Sequence, residues 1–353
     1  MKIDKREKQL INSIYSPPRQ KNGRHLKDIY DGDYQIREFS LARHALLAGL
    51  KVLGLKKGDS VLLPSFICGD VLAPFNLLGL KILFYPVDEK LKITTRMNDL
   101  PNASAIMAVH YFGLETDLSI FREYCQKHKA LLIEDNAHGM FSRSADGQLL
   151  GTLGDIGIIS IRKTLPISNG ALLIYRNKAE NIPILTSIGA PSVRMAIKNV
   201  FRSMITLCGT GFLIGVTKLK RRLRLMLKGD EFPPSQSEDE YNIPLSPNPI
   251  NIEEYMETVD VSKEVNRRRE LFNFLSKLAK NLQIQPLKEF LSPSEVPYVY
   301  PFWCSPENIS LVKKELESIG LEFVNWPTLP QYVQEDKEKP HFYSNLYMVK
   351  FLW

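Results

Sequence analysis

The sequence predicts an α/β protein, with a large domain built on a mostly parallel sheet and a smaller α+β C-terminal domain after it. Three observations carry this. Short apolar runs of strand length alternate with helix-length amphipathic segments between residues 40 and 175. One of those runs, LLIED at 131–135, passes straight from three apolar residues into two acids, as a buried parallel strand does at its end. After a Pro/Ser/acid-rich stretch at 230–249 the pattern changes to one long helix and then strand, helix, strand.

Residues 1–34 are polar and turn-rich, with SPPRQKNG in the middle, and read as an N-terminal arm. SLARHALLAGLKVLGL (40–55) has helical apolar spacing and ends near Gly54; His44 is expected on its surface. DSVLLPSF is a short strand stopped by Pro64, VLAPFNLLGL is helical despite Pro74, and KILFYPVD is the next strand. SAIMAVHYFG is a strand ending at His110, which is expected to pack there. DLSIFREYCQKHKA is an amphipathic helix whose start Asp117 can cap. LLIED follows. GDIGIISI (154–161) and GALLIY (170–175) are two more strands, flanking RKTLPISN, a turn that carries Lys163. IEEYMETVDVSKEVNRRRELFNFLSKLAKNL is one long helix, VPYVYPFWC a strand, SPENISLVKKELESIG a helix capped by Ser305, and LEFVNW a strand. The expected organisation is an arm (1–34), a large domain (35–190), a basic, apolar helical insertion with its linker (191–249), and a small C-terminal domain (250–353).

The formal net charge of +7 is concentrated in one place. From Arg194 to Lys228 there are nine basic residues and no acid, which leaves 37 basic against 39 acidic residues elsewhere. The basic balance therefore reports one segment and not a nucleic-acid-binding surface spread over the fold. Within it, SMITLCGTGFLIGVT is uncharged between Arg202 and Lys218 and too short to cross a bilayer comfortably. With the KLKRRLRLMLK that follows, it reads as a helical hairpin packed on its own dimer. The competing expectation is an interfacial element giving weak contact with the inner membrane surface. Cys68, Cys125, Cys208 and Cys304 lie far apart and form no metal or redox pair, as expected of reduced thiols in a cytoplasmic protein. The histidines show no metal-ligand spacing, so no metal is expected. The Met1 end is charged, with no apolar segment of signal-peptide type.

Asp135 poses the chemical question. A carboxylate at the end of a buried strand is costly unless a cation meets it. That cation can be an arginine or lysine, a metal ion, or a protonated heterocycle. No second cluster of ligands accompanies Asp135, which argues against metal. A heterocycle predicts a partner, a lysine on a nearby loop between strands that can bond an aldehyde. Lys163 occupies such a place, and Ser160, three residues earlier, can donate to a phosphate. Pyridoxal phosphate requires such a set, with Asp against its pyridinium nitrogen and Lys on its aldehyde. On residue types alone, an ordinary strand end with a solvated acid stands beside it.

The stretch 107–163 resembles the DegT/StrS-type sugar aminotransferases, pyridoxal phosphate enzymes of the aspartate-aminotransferase fold. The elements that match in order and spacing are VHYFG, Asp117-Leu118, IEDNAHG, GTLGDIGIIS and then Lys163. Upstream, LKKGDSVLLPSF is similar to another segment of that family. The resemblance covers residues 38–190 well and 250–353 loosely. It implies that Asp135 partners the pyridinium nitrogen, that Lys163 holds the aldehyde, that His138 contacts the ring hydroxyl or aldehyde side, and that Ser160 binds the phosphate. The family's phosphate loop, S-G-T-x-A-L, corresponds here to a run in which Ala42 and Arg43 replace Gly and Thr. The helix N-terminal amides remain for the phosphate, and Arg43 can add a charged contact.

Four departures qualify the resemblance. Cys68 stands where many members have an aromatic that stacks on the cofactor. Lys163 follows Ser160 by three residues where many members have five, a form similar to a branch reading RK-x-LP-x-x-[DN]G. The family's partner-subunit motif N-x-R-M has no counterpart in PNPINIEEYMETVD, and the chain stops at FLW where relatives commonly continue. The resemblance implies an aminotransferase that converts a nucleotide-linked keto sugar to an amino sugar in surface-polysaccharide synthesis. Glutamate is the expected amino donor, and a homodimer the expected assembly. Two rivals stand beside it: a non-catalytic, membrane-associated relative that kept the fold, and a pyridoxal-dependent sugar dehydratase. Dehydratases of that kind carry histidine in place of the lysine, so Lys163 argues against the second. Trp326 and Pro327 either border a substrate pocket or pack in the core.

Overall fold

The computed structural model describes residues 3–14, 17–20, 23–96, 99–176, 239–244, 250–337 and 339–352. The basic segment 194–228 and Cys208 lie outside the described residues. Among the described residues eleven strands form two sheets: β1 (Gln35–Phe39), β2 (Ser60–Pro64), β3 (Lys81–Tyr85), β4 (Ala105–Val109), β5 (Leu131–Asp135), β6 (Ile156–Ile159), β7 (Ala171–Tyr175), β8 (Gln285–Pro286), β9 (Val299–Trp303), β10 (Phe323–Asn325) and β11 (Leu346–Lys350). The seven-stranded sheet has the order β1-β7-β6-β5-β4-β2-β3. Its pairs from β6 to β3 are parallel, and β7 and β1 are antiparallel additions at one edge. The four-stranded sheet, β10-β11-β9-β8, is antiparallel throughout. The mostly parallel large sheet followed by a smaller α+β unit agrees with the expected fold class.

The central strands are apolar on both faces because both faces are covered. Every residue of AIMAV in β4, IGII in β6 and ALLIY in β7 is buried. Residues such as Leu62, Ile106 and Leu173, all fully buried, each contribute about 1.5–3 kcal/mol by leaving water. Gly157 in β6 has a steric reason: a Cβ there would lie 1.8 Å from the carbonyl oxygen of Gly151, so the strand and the loop before it touch backbone to backbone. A second core joins the long helix Val261–Leu282 to the smaller sheet through Leu271, Phe272, Tyr300 and Phe302.

Several elements differ from expectation, each for a local reason. β1 is an antiparallel edge strand within a stretch that carries no clean alternation. Residues 5–12 are not bare arm: Asp4 caps the helix Lys5–Asn12 with a capping box, and Ile11 packs into the second core. The long helix expected from residue 252 is interrupted between Met256 and Val261. There the backbone carbonyls of Glu257 and Thr258 accept from Gly23 and Gln20, and the Asp260 side chain caps a fresh helix through Lys263 N–H. Ser305 is not the cap of Ile309–Ser318; the helix begins three residues later, after Asn308. Asp117 does accept from Ser119 N–H at the head of the helix Ser119–His128. His44, expected on a surface, is buried and bonds Ser40 Oγ at 3.2 Å. Among the described residues no helix is long and apolar enough to cross a membrane.

One buried ion fixes the middle of the large sheet. Glu134 is fully buried, and its carboxylate accepts from the backbone amides of Gly151, Leu153 and Gly154 and from His110 Nε2 at 2.9 Å. His110 Nδ1 in turn accepts from Thr116 N–H, which leaves Nε2–H as the donor to Glu134. His110 is thus a strand-end packing residue. Removing the carboxylate would orphan three amides and one imidazole at once. Glu134→Ala is expected to cost about 3–5 kcal/mol, read as a lower urea midpoint at unchanged m; a loss within 1 kcal/mol would show that the loop does not depend on this ion.

Candidate active site

Three parallel strands end side by side at one edge of the large sheet. Val109 pairs with Asp135, and Asp135 with Ile158. His110, Asp135 and Ser160 therefore leave the sheet together, at the carboxyl ends where open α/β sheets place their ligands. Successive side chains of a strand face opposite sides. That alternation sends Glu134 into the loop behind and Asp135 toward the open side.

Asp135 has one hydrogen bond, from Ala137 N–H to Oδ1 at 2.9 Å, and no ion-pair partner within 4 Å among the described residues. Lys163 sits on the short helix Ile161–Thr164, in the turn between β6 and β7. Its charge is felt at Asp135, but the two do not close into a salt bridge. Both lie deep within the molecule and both remain only half-buried by exposure. Burial pushes the Asp135 carboxyl above the usual carboxylate range, against the opposing pull of Lys163, the Ala137 amide and His110. Burial likewise pushes the Lys163 ammonium down, with Asp135, Cys68 and Asp70 opposing.

His138 joins the two. Its Nε2 lies 3.0 Å from Lys163 Nζ, and its Nδ1 accepts from Phe112 N–H at 3.2 Å. The ring is held between Phe112 (5.7 Å, 6°) and Tyr298 (4.8 Å, 6°), with Trp326 edge-on at 5.5 Å. Such aromatic contacts each add about 0.5–1.5 kcal/mol beyond area burial, enough to leave the imidazole one orientation. The turn that presents His138 needs Gly139, where a Cβ would lie 2.2 Å from Asn136 Oδ1. Burial pushes the His138 pKa well down, and Lys163 adds to it.

Ser160 is buried, and its hydroxyl makes no hydrogen bond to any described residue. Ala42 opens the helix Ala42–Val52, in which His44 and Ala45 N–H both return to Leu41 O; the Ala42 and Arg43 amides have no such partner. Arg43 is not free for an anion: its guanidinium holds Asp70 at 2.9 Å. Cys68 is close enough to Lys163 to be felt there, and the aromatic surface of the site is turned on His138.

Of the residues singled out in the sequence, the structure brings His138 Nε2 to Lys163 Nζ and sets Asp135 and Ser160 at the ends of neighbouring strands; the sequence reasoning missed their supports. Arg268 is buried; it donates to Thr164 O, next to Lys163, and to Pro297 O and Tyr298 O, next to the His138 stack. Glu264 balances it and Arg267, at 2.6 Å each. Nothing local in an Arg-Arg-Arg run shows which arginines turn inward. Phe112 lay within a quoted motif, but its positive φ of 60° carried no sequence signal. Trp326 packs against Phe66, Tyr111 and Phe112 as well as His138, which agrees with the core-packing expectation for it.

The family model of the DegT/DnrJ/EryC1/StrS aminotransferases matches residues 34–216. GDP-perosamine synthase of Vibrio cholerae is 28% identical over 142 residues, 37% of this chain and 37% of that protein. The UDP-N-acetyl-3-dehydro-α-D-glucosamine 3-aminotransferase of Acidithiobacillus ferrooxidans is 31% identical over 120 residues, 33% of this chain and 32% of that protein. The matched stretch is thus about a third of the length of these curated relatives. Among solved structures, the E. coli GDP-4-keto-6-deoxy-D-mannose-3-dehydratase with bound hydrated PLP is similar, with a TM-score of 0.61 at 15% identity, over 99% of this chain and 93% of that one; it shares the fold. A carboxylate without an ion pair among the described residues, a lysine whose charge reaches it and a buried serine hydroxyl together fit a phosphorylated pyridine aldehyde.

The raised Asp135 carboxyl has a consequence for stability. A carboxyl that binds its proton more tightly when folded makes the fold less stable as pH rises through the unfolded value toward the folded one. Asp135→Asn keeps the acceptor for Ala137 N–H and removes that penalty. The cofactor-free protein carrying it is expected to have a higher urea midpoint than wild type at pH 7, the gain shrinking as pH falls toward 4. A loss of stability at pH 7 would mean that Asp135 is held by an attraction stronger than its burial cost.

Proposed function

The chain belongs to the DegT/DnrJ/EryC1/StrS aminotransferase family, and from that premise we propose that it is a pyridoxal phosphate-dependent aminotransferase converting a nucleotide-linked keto sugar to an amino sugar. The single observation that carries the proposal is that Lys163 Nζ, 3.0 Å from His138 Nε2, meets the segment that leaves β5 at Asp135, a carboxylate with no ion-pair partner among the described residues. Asp135 would hold the proton on the ring nitrogen, Lys163 the aldehyde, His138 the ring's edge, and Ser160 with the Ala42 and Arg43 amides the phosphate. Bound there, the cofactor supplies an electron sink for carbanion chemistry. The protein's own part is then proton handling. Lys163 Nζ, as a neutral amine, would take a proton from the substrate carbon and return one. Asp135 would hold its charge opposite the ring nitrogen.

The relatives' substrates support a nucleotide-linked sugar, and Lys163 in the position that dehydratases of this kind give to histidine supports amino transfer over dehydration. Glutamate as donor, a homodimer, a cytoplasmic location and a role in surface-polysaccharide synthesis complete the proposal. So does the division into a large domain over 35–190 and a small one over 250–353. We assign 194–228 to assembly rather than chemistry, with weak membrane contact at most. Strong, salt-sensitive recovery with anionic vesicles would reverse that assignment.

Borohydride treatment of the protein loaded with pyridoxal phosphate, followed by peptide mapping, is expected to place the cofactor on Lys163. Attachment to another lysine, or none, rejects the proposal. Asp135→Asn should keep weakened cofactor binding while turnover falls by two to three orders of magnitude, about 2.7–4 kcal/mol of barrier; near-normal turnover would remove Asp135 from the mechanism.

A further inference from the structure

The structure assigns His138 a specific chemical task beyond contact with the cofactor: its tautomer keeps the Lys163 amine uncharged and aimed. The inference rests on the proposed function for its purpose, but its geometry stands on the chain alone. His138 Nδ1 accepts a hydrogen bond from Phe112 N–H at 3.2 Å, so Nδ1 carries no proton. A neutral imidazole with a bare Nδ1 has its hydrogen on Nε2. That Nε2–H points at Lys163 Nζ, 3.0 Å away. An ammonium has three donors and no lone pair, so it cannot receive this hydrogen. The contact is a hydrogen bond only if Lys163 is a neutral amine with its lone pair toward His138.

The imidazole cannot turn to escape. Phe112 and Tyr298 hold its two faces in parallel, and Trp326 meets it edge-on. Nor can it easily take a second proton, because burial opposes its charged form. The other groups that act on Lys163 are Asp135, Cys68 and Asp70, which favour the ammonium, and Arg162, which opposes it. Against those anionic neighbours, the donor from His138 is, among the described residues, the hydrogen-bonding group in contact with Nζ that selects the neutral form. His138 is thereby a catalytic residue in the sense that it touches the reacting nitrogen, and Phe112 N–H is its positioning group.

The test uses cofactor-free protein. Pulse labelling with acetic anhydride across pH, read at Lys163 by mass spectrometry, gives the pH at which its amine loses its proton. His138→Phe keeps an aromatic ring in the slot and removes Nε2–H. Its labelling midpoint is expected about one pH unit above wild type, a roughly tenfold smaller uncharged fraction near neutrality. A midpoint at or below that of wild type overturns the assignment. Should His138→Phe not fold, nitrogen NMR of the wild-type histidines decides, with His138 identified by contacts to the Phe112 and Tyr298 rings. A neutral Nε2–H form from pH 6 to 9 is expected, and an Nδ1–H form or protonation in that range overturns it. Neither measurement involves pyridoxal phosphate. Failure of the borohydride mapping would therefore sink the aminotransferase proposal and leave this one standing, and the reverse.

Discussion

The buried carboxylate of Glu134 is the constraint on which the site depends. A fully buried ion survives only if every lone pair is used, and this one gathers three backbone amides and an imidazole. In doing so it draws the loop 151–154 under the end of β5 and sets where β6 begins. β6 then delivers Ser160 and, three residues on, Lys163. The charge lies on the opposite side of the strand from Asp135, so the alternation of a β-strand lets one dipeptide serve two ends. Glu134 holds the frame and Asp135 faces the chemistry.

The two sides contrast in energetics. On one side the Glu134 carboxylate is met by three amides and the His110 imidazole. On the other, Asp135 and Lys163 are both pushed toward their neutral forms by burial and do not relieve each other by pairing. Such a site is held open by surroundings more stable than itself. Here the surroundings include the Arg268 bonds to Thr164, Pro297 and Tyr298, which tie the long C-terminal helix to the Lys163 turn. The long helix of the smaller unit is therefore tied directly to the turn that carries Lys163.

The apolar strands, the Asp135 strand end and the order Asp135, His138, Ser160, Lys163 were legible from residue types and spacing, because each depends on near neighbours in the chain. Arg43 shows the limit. The sequence places it at a helix start, where a cation reads as an anion contact, whereas Asp70, twenty-seven residues on, already occupies its guanidinium. His44 misled for a related reason. Helical spacing near Arg43 put it on a surface that the sheet and Ser40 in fact cover.

By itself the sequence determined the strand and helix alternation, the acid at the end of β5 and the lysine beyond β6, since these follow from periodicity and from the cost of burying charge. Only the tertiary structure decided what each polar atom meets. Glu134 and Asp135 are adjacent acids with no difference in local pattern, and they part only because one faces a loop of donors and the other the side where Lys163 lies. His138 takes one orientation only when Phe112 and Tyr298, 186 residues apart in the chain, stack on it, and one tautomer only when the Phe112 N–H meets its Nδ1. Hydrogen-bond polarity and orientation are properties of atoms brought together from distant parts of the chain, and no local pattern of residues carries them.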